Sequence, residues 1–240
     1  MQIDILTLFP QAFIDSLNYS ILKRSLDKHI LNINVVNIRD FSTDTHKTVD
    51  DKPFGGGPGM VIKVDVLHKA LQSLLIDQET SSTRIILLSS SGKNYSQEKA
   101  KELSKSKRLI LICGHYEGVD ERILPYVDEE LSIGNYVLSG GEIPALVVID
   151  SITRLLPGAL GDPESSTEES FEDYDTPEGK YKLLEYPQYT QPAEYDGQKV
   201  PSILVSGDHQ KIKEWRLEKS LEKTKKNRPD LIKQQPTQRG

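Results

Sequence analysis

The sequence predicts an α/β domain with a mostly parallel sheet, followed by a small C-terminal helical domain. Three observations predict it. Continuous apolar runs at residues 84–88 (RIILL) and 108–113 (RLILIC) have the make-up of strands covered on both faces, as central parallel strands are. Helical segments alternate with the strand candidates instead of following them in a block. The last thirty residues form a distinct module, with ten Lys and Arg against four Asp and Glu.

Along the chain, residues 2–8 (QIDILTL) read as a first strand, followed by an amphipathic segment to about Lys28. Residues 32–38 (NINVVNI) read as a second strand. A charged helix over 96–106 separates the two apolar strands, and another over 142–156 is stopped by Pro157-Gly158. From Asp162 to Asp175 seven acids crowd together with no Lys or Arg before Lys180, the composition of an acidic linker. A last helix spans about 206–226. The boundaries expected are residues 1–160 for the α/β domain, 161–182 for the linker and 183–240 for the helical domain.

Composition narrows the function. The chain has 240 residues, 36% hydrophobic and 28% charged, as a globular protein does. No apolar run reaches the roughly 20 residues of a membrane span. The opening MQIDILTLFP lacks the basic region and cleavage site of a signal peptide. The single cysteine, Cys113, fits a reducing cytosol and, inside an apolar run, reads as a buried inert thiol. No Cys/His cluster suggests a zinc site. A net charge of −6 argues against nucleic acid, but the basic C-terminus reads either as a solvated helix or as a phosphate-contacting module on an acidic protein.

Three strand-like runs lead into glycine loops: residues 88–92 (LSSSG), 113–118 (CGHYEG) and 132–144 (SIGNYVLSGGEIP). The last runs like a strand at Tyr136-Val137-Leu138, yet has glycines at 134, 140 and 141, more bare backbone than a strand tolerates. Ligands of open α/β sheets sit beyond the carboxyl ends of the strands, and glycine lets a ligand approach the main chain. Taken singly, each loop fits a structural turn. The glycine-rich 50–59 (DDKPFGGGPG) lacks the Gly-Lys-Ser/Thr ending of a phosphate loop.

The motifs FSTDTHKTVDDKPFGGGPGM (41–60), CGHYEGVDER (113–122) and SIGNYVLSGGEIPA (132–145) resemble the bacterial tRNA (guanine-N1)-methyltransferase family (TrmD, of the SPOUT class). The likeness continues through RLLPG (154–158), LLEYPQYT (183–190), VPSILVSGDH (200–209) and WRLEKSL (215–221). The resemblance implies a deep trefoil knot in the α/β domain, a homodimer, and methylation of the guanosine at position 37 of tRNA with S-adenosylmethionine as donor. It leaves a role for magnesium open. The cofactor residues it implies are Gly114 and the run Ile133, Gly134, Asn135, Tyr136, Val137 and Leu138. Gly140, Gly141 and Pro144 shape the loop, Ser89, Ser90 and Gly92 stand by the adenine, and Tyr116 and Glu117 by the methionine part.

Chemistry requires a base for the N1 proton and a cation near O6. By resemblance the cation is Arg154, placed before LLPG. The base falls in STEESF (166–171), where the family has Asp-Ser-Phe and this chain has Glu169-Ser170-Phe171; Glu168 is the neighbouring alternative. Ser170 and Glu185, inside resembling motifs, together with Lys225, Lys226 and Arg228, are the expected tRNA contacts. Other departures are Ser89-Ser90-Ser91-Gly92 for the family's Ser-Pro-Gln-Gly, Asn135 for Asp, Gln191 for Arg, and an apparent insertion at 172–182. The competing function is an RNA-binding module that keeps the fold without turnover.

Overall fold

The chain divides into two units, Met1–Gly161 and Asp162–Gly240. The computed structural model describes residues 1–76, 82–161, 169–176 and 179–233. In the first unit the elements run β1 (Gln2–Thr7), α1 (Gln11–Ile14), α2 (Ser20–Asp27), β2 (Asn32–Asn37), β3 (Asp50–Asp51), β4 (Val61–Ile62) and α3 (Val64–Leu75). They continue through β5 (Thr83–Asn94), α4 (Gln97–Leu103), β6 (Arg108–Cys113), β7 (Glu129–Ser132) and α5 (Glu142–Thr153).

Five of these strands form one sheet in the order β2-β1-β6-β5-β7, with every pairing parallel. The central strands are buried on both faces, as their unbroken apolar runs require. Alternate residues feed two cores. Ile3, Ile5, Leu109 and Leu111 pack with Val148, Ile149 and Ile152 of α5. Leu6, Ile110 and Ile112 pack with Leu67 and Leu71 of α3. Asp4, buried on β1, is matched by the Arg108 Nε–H at 2.7 Å and the Asn34 amide at 2.9 Å, so its charge is compensated.

Two local expectations change. The amphipathic segment after β1 breaks into α1 and α2. Tyr136-Val137-Leu138 is loop rather than strand, with Val137 90% exposed; strand β7 ends before it, at Ser132. With no neighbouring ladder to join, β-propensity alone does not make a strand.

The second unit contains β8 (Glu172–Thr176), β9 (Gly179–Leu183), β10 (Glu194–Tyr195), β11 (Gln198–Lys199), α6 (His209–Asn227) and α7 (Asp230–Lys233). The stretch expected to be linker therefore includes an antiparallel hairpin. Its register sets Asp173 opposite Lys182 and Asp175 opposite Lys180. The Lys182 ammonium meets Asp173 at 3.1 Å. Asp173, part of an acidic run along the chain, thus meets a cation across the strands, which composition along the chain does not reveal.

Among the described residues no helix is long and apolar enough to cross a membrane.

Candidate active site

A pocket of about 310 Å³ opens at the carboxyl ends of β5, β6 and β7 and is lined by the three glycine loops. Its first wall comes from an interruption in β5. Leu131 of β7 pairs with both Leu88 and Lys93, so residues 89–92 leave the ladder. Ser89, Ser90 and Ser91 line the cavity as a result. Gly92 brings the strand back: a Cβ there would lie 2.5 Å from the Glu130 carbonyl carbon and the Leu131 nitrogen.

Backbone hydrogen bonds join the other walls. The Gly141 N–H donates to the Gly114 carbonyl at 2.8 Å, and His115 bridges to Gly140. The Glu117 N–H donates to the Met60 carbonyl at 3.0 Å and the Ile62 N–H to the Gly118 carbonyl at 3.0 Å, fastening this loop to β4. Within it Tyr116 holds φ +59°, a left-handed conformation costly for a bulky residue and typical of ligand loops. Gly134, at φ +153°, leaves space that the Tyr136 ring fills.

Under the loops lies a polar support. The buried Thr7 hydroxyl donates to Glu142 Oε1 at 2.7 Å and accepts the Phe9 N–H at 2.9 Å. His115 sits over Phe9, with ring centroids 4.7 Å apart, and edge-on to Tyr116 at 4.8 Å. Thr7→Val keeps the shape and removes both bonds. We expect it to lower stability by roughly 1–3 kcal/mol, the effect of stranding buried polar groups, read by urea unfolding. Cys113 is buried, and burial, with the Glu142 charge second, pushes its thiol well above the usual range, so it is inert.

Residues 1–234 match the model of the family described as tRNA (guanine-1)-methyltransferase TrmD. The chain belongs to this family. Proteins named tRNA (guanine-N(1)-)-methyltransferase resemble it over almost their whole length. The one from Dictyoglomus turgidum is 50% identical over 232 residues, 97% of this chain and 90% of its own. The Carboxydothermus hydrogenoformans protein is 52% identical over 234 residues (97% and 88%), and the Staphylococcus haemolyticus protein 48% over 237 (98% and 92%). The chain is thus a tRNA (guanine-N1)-methyltransferase.

In this methyltransferase the pocket gathers most of the residues expected at the cofactor: Ser89, Ser90, Gly114, Tyr116, Glu117, Ile133, Gly134, Tyr136, Val137, Leu138 and Gly140. Gly92, Asn135, Gly141 and Pro144 do not line it. Gly141 is the N-cap of α5 and Pro144 is buried in that helix's first turn. Two carboxylates not singled out from the sequence, Glu121 and Glu130, do line it. Glu121 lies inside CGHYEGVDER (113–122); Glu130 carries no sequence signal except its place just before the third loop. Arg154 is half-buried and caps α5, its N–H donating to the Asp150 carbonyl at 3.2 Å while the Leu155 N–H donates to the Ile152 carbonyl at 2.9 Å. A cation is favoured at a helix C-terminus.

The remaining predicted residues lie in the second unit. Glu169 is half-buried just before β8, and Glu168 lies outside the described residues. Ser170 Oγ accepts the Glu185 N–H at 3.0 Å, so these two expected tRNA contacts touch each other. The Phe171 N–H donates to the Leu183 carbonyl at 2.8 Å, closing the hairpin behind Glu169. Helix α6 grips the same segment: Lys223 Nζ donates to the Glu185 carbonyl at 2.9 Å, and Thr224 Oγ1 accepts the Leu184 N–H at 2.9 Å. Lys225 and Lys226 are exposed. Arg228 donates to Asp230 at 2.7 Å and lies 5.8 Å from the Phe171 ring centroid. Among the described residues no group of three or more His, Cys, Asp or Glu is placed to hold a metal ion.

Proposed function

We propose that the enzyme methylates N1 of the guanosine at position 37 of tRNA, with S-adenosylmethionine as donor. The observation that carries this reading is the pocket of bare backbone and three carboxylates at the ends of β5, β6 and β7. Main-chain groups of 133–140 suit an adenine edge, and Ile133, Val137 and Leu138 offer apolar contact. Glu117, Glu121 and Glu130 suit a ligand that carries an ammonium and a sulfonium. The knot belongs to the same reading, supported by the return of the third loop onto the end of β6.

When bound, the donor supplies a methyl carbon already activated by its sulfonium. The chain's residues do the rest. Glu169 takes the N1 proton, which leaves the N1 lone pair free to accept the methyl group that the bound donor would supply. Arg154 stabilises the negative charge that builds toward O6. Glu169 then loses its proton to water. A homodimer is supported by α5, apolar on most of its surface, which leaves Ile143 57% and Val147 40% exposed. Helices apolar all round are normally buried all round.

The test is methyl transfer to unmodified transcripts carrying guanosine or adenosine at position 37, with the product nucleoside identified by mass. N1-methylguanosine from the first transcript alone is expected. Equal transfer to both, or none to a tRNA that binds, would overturn the proposal.

The basic C-terminus should act through phosphates. Replacing Lys225 and Lys226 by Ala is expected to reduce the slope of log affinity against log salt by about two, one for each contact. Adding Arg228→Ala should change it little further, because Arg228 already holds Asp230. Filter binding between low and moderate salt checks both.

A further inference from the structure

The motifs around Tyr186–Tyr189 and Trp215-Arg216 have no part in the chemistry above, yet the fold brings them together. They line a cavity of about 370 Å³ that lies wholly within the second unit. Tyr189 and Trp215 face each other with ring centroids 6.4 Å apart and planes tilted by 54°. Tyr186 is buried beside them, with the Arg216 guanidinium 4.6 Å from its ring centroid. His209 and Lys213, both exposed on the first turns of α6, complete the rim.

The chemistry of this lining differs from that of the first pocket. Three carboxylates line the pocket at the strand ends; among the described residues none lines this one. In a chain of net charge −6, an aromatic cavity edged by Lys213 and Arg216 is matched to an anionic ligand with a flat π-face. A nucleotide has both properties. Sequence-tolerant binding of unpaired RNA uses this combination, bases stacked on aromatic rings and phosphates held by nearby cations. The Tyr189–Trp215 separation is slightly short of the roughly 7 Å that a sandwiched base needs, two contacts of about 3.5 Å. The planes are also tilted by 54°, so the Tyr189 ring, 49% exposed and in a loop, must swing outward and turn toward the plane of Trp215 to close on a base.

We propose that this cavity receives one unpaired nucleobase of the substrate tRNA, stacked on Trp215 against Tyr189, with its phosphate at Lys213. The site is a second anchor on the RNA, separate from the target guanine. It rests on the reading of tRNA as the substrate.

Trp215 is the only tryptophan of the chain, so indole emission reports this cavity alone. The full-length enzyme is titrated with three probes: unmodified tRNA, its anticodon stem-loop, and a blunt RNA duplex of equal phosphate content that corrects for absorbance. Saturable quenching is expected with tRNA and none with the duplex. Stem-loops with an abasic nucleotide at each loop position in turn should restore emission at one position, which identifies the stacked base. Tyr189→Ala, at an exposed site, should weaken tRNA binding about tenfold, the scale of one stacked base, and leave binding of the methyl donor unchanged. Trp215→Phe should retain most of the affinity that Trp215→Leu loses.

Methyl transfer is measured in the same samples. Normal transfer with unchanged Trp215 emission would overturn the stacking site and leave the proposed reaction intact. So would emission that follows protein dilution and ignores RNA, which would mean that a second copy of the chain covers the cavity. Quenching by tRNA without transfer would uphold the site and count against the reaction.

Discussion

Glu169→Gln is expected to lower the single-turnover rate of methyl transfer by about a hundredfold or more, the usual effect of losing a general base. Glutamine keeps the length and shape of the side chain but does not take up a proton at neutral pH. Affinity for the methyl donor should barely change, because the glycine loops that line the pocket belong to the first unit and Glu169 to the second. Glu169→Asp should keep substantial activity, since it preserves the carboxylate. The hairpin holds the main chain here: the Phe171 N–H bonds to Leu183 and Ser170 Oγ to the Glu185 N–H. Glu168→Gln should be mild. Single-turnover kinetics with pre-bound tRNA isolate the chemical step. A fully active Glu169→Gln variant beside an inactive Glu168→Gln variant would move the base to the neighbouring residue.

Gly141→Val is expected to weaken binding of the methyl donor at least tenfold, although Gly141 does not line the pocket. Its backbone is ordinary, φ −82° and ψ −3°, so a side chain meets no conformational strain. The obstacle is contact. A Cβ would lie 2.6 Å from the Cα of Cys113 and 3.0 Å from the Gly114 nitrogen, and main chain has little room to move aside. The first turn of α5 must back away from the end of β6. That breaks the bond from the Gly141 N–H to the Gly114 carbonyl and pulls the second and third loops apart. Overpacking of this kind destabilises by about 1–3 kcal/mol, so the variant should fold with a lower midpoint. Calorimetry should then show at least a tenfold loss of affinity. Gly161→Ala, where a Cβ meets nothing within 4 Å, is the control and should bind normally. Equal affinity in the two variants would show that the loops need not be joined at this point.

The linear order carried the α/β class, because strands buried on both faces must be apolar without a break. The 108–113 run folds residue for residue as read, into β6. The three loops were also legible: bare backbone at a strand end has few uses, and the motifs of the second and third matched a family. Other features depended on partners distant in sequence. Asp173 and Asp175 read as linker until the hairpin set Lys182 and Lys180 opposite them. Glu130 belonged to an unremarked acidic pair until the break in β5 turned a cavity toward it. Gly92 read as a neighbour of the adenine and Gly141 as a shaper of the loop, and only folding shows which main chain each missing Cβ makes room for, that of β7 at Gly92 and the end of β6 at Gly141. Tyr189 and Trp215 are 26 positions apart, and only the packing of α6 on the 183–189 segment places their rings together. Periodicity reports what each element needs to bury; which side chains then meet is settled by tertiary contact, where the chemistry of the sites arises.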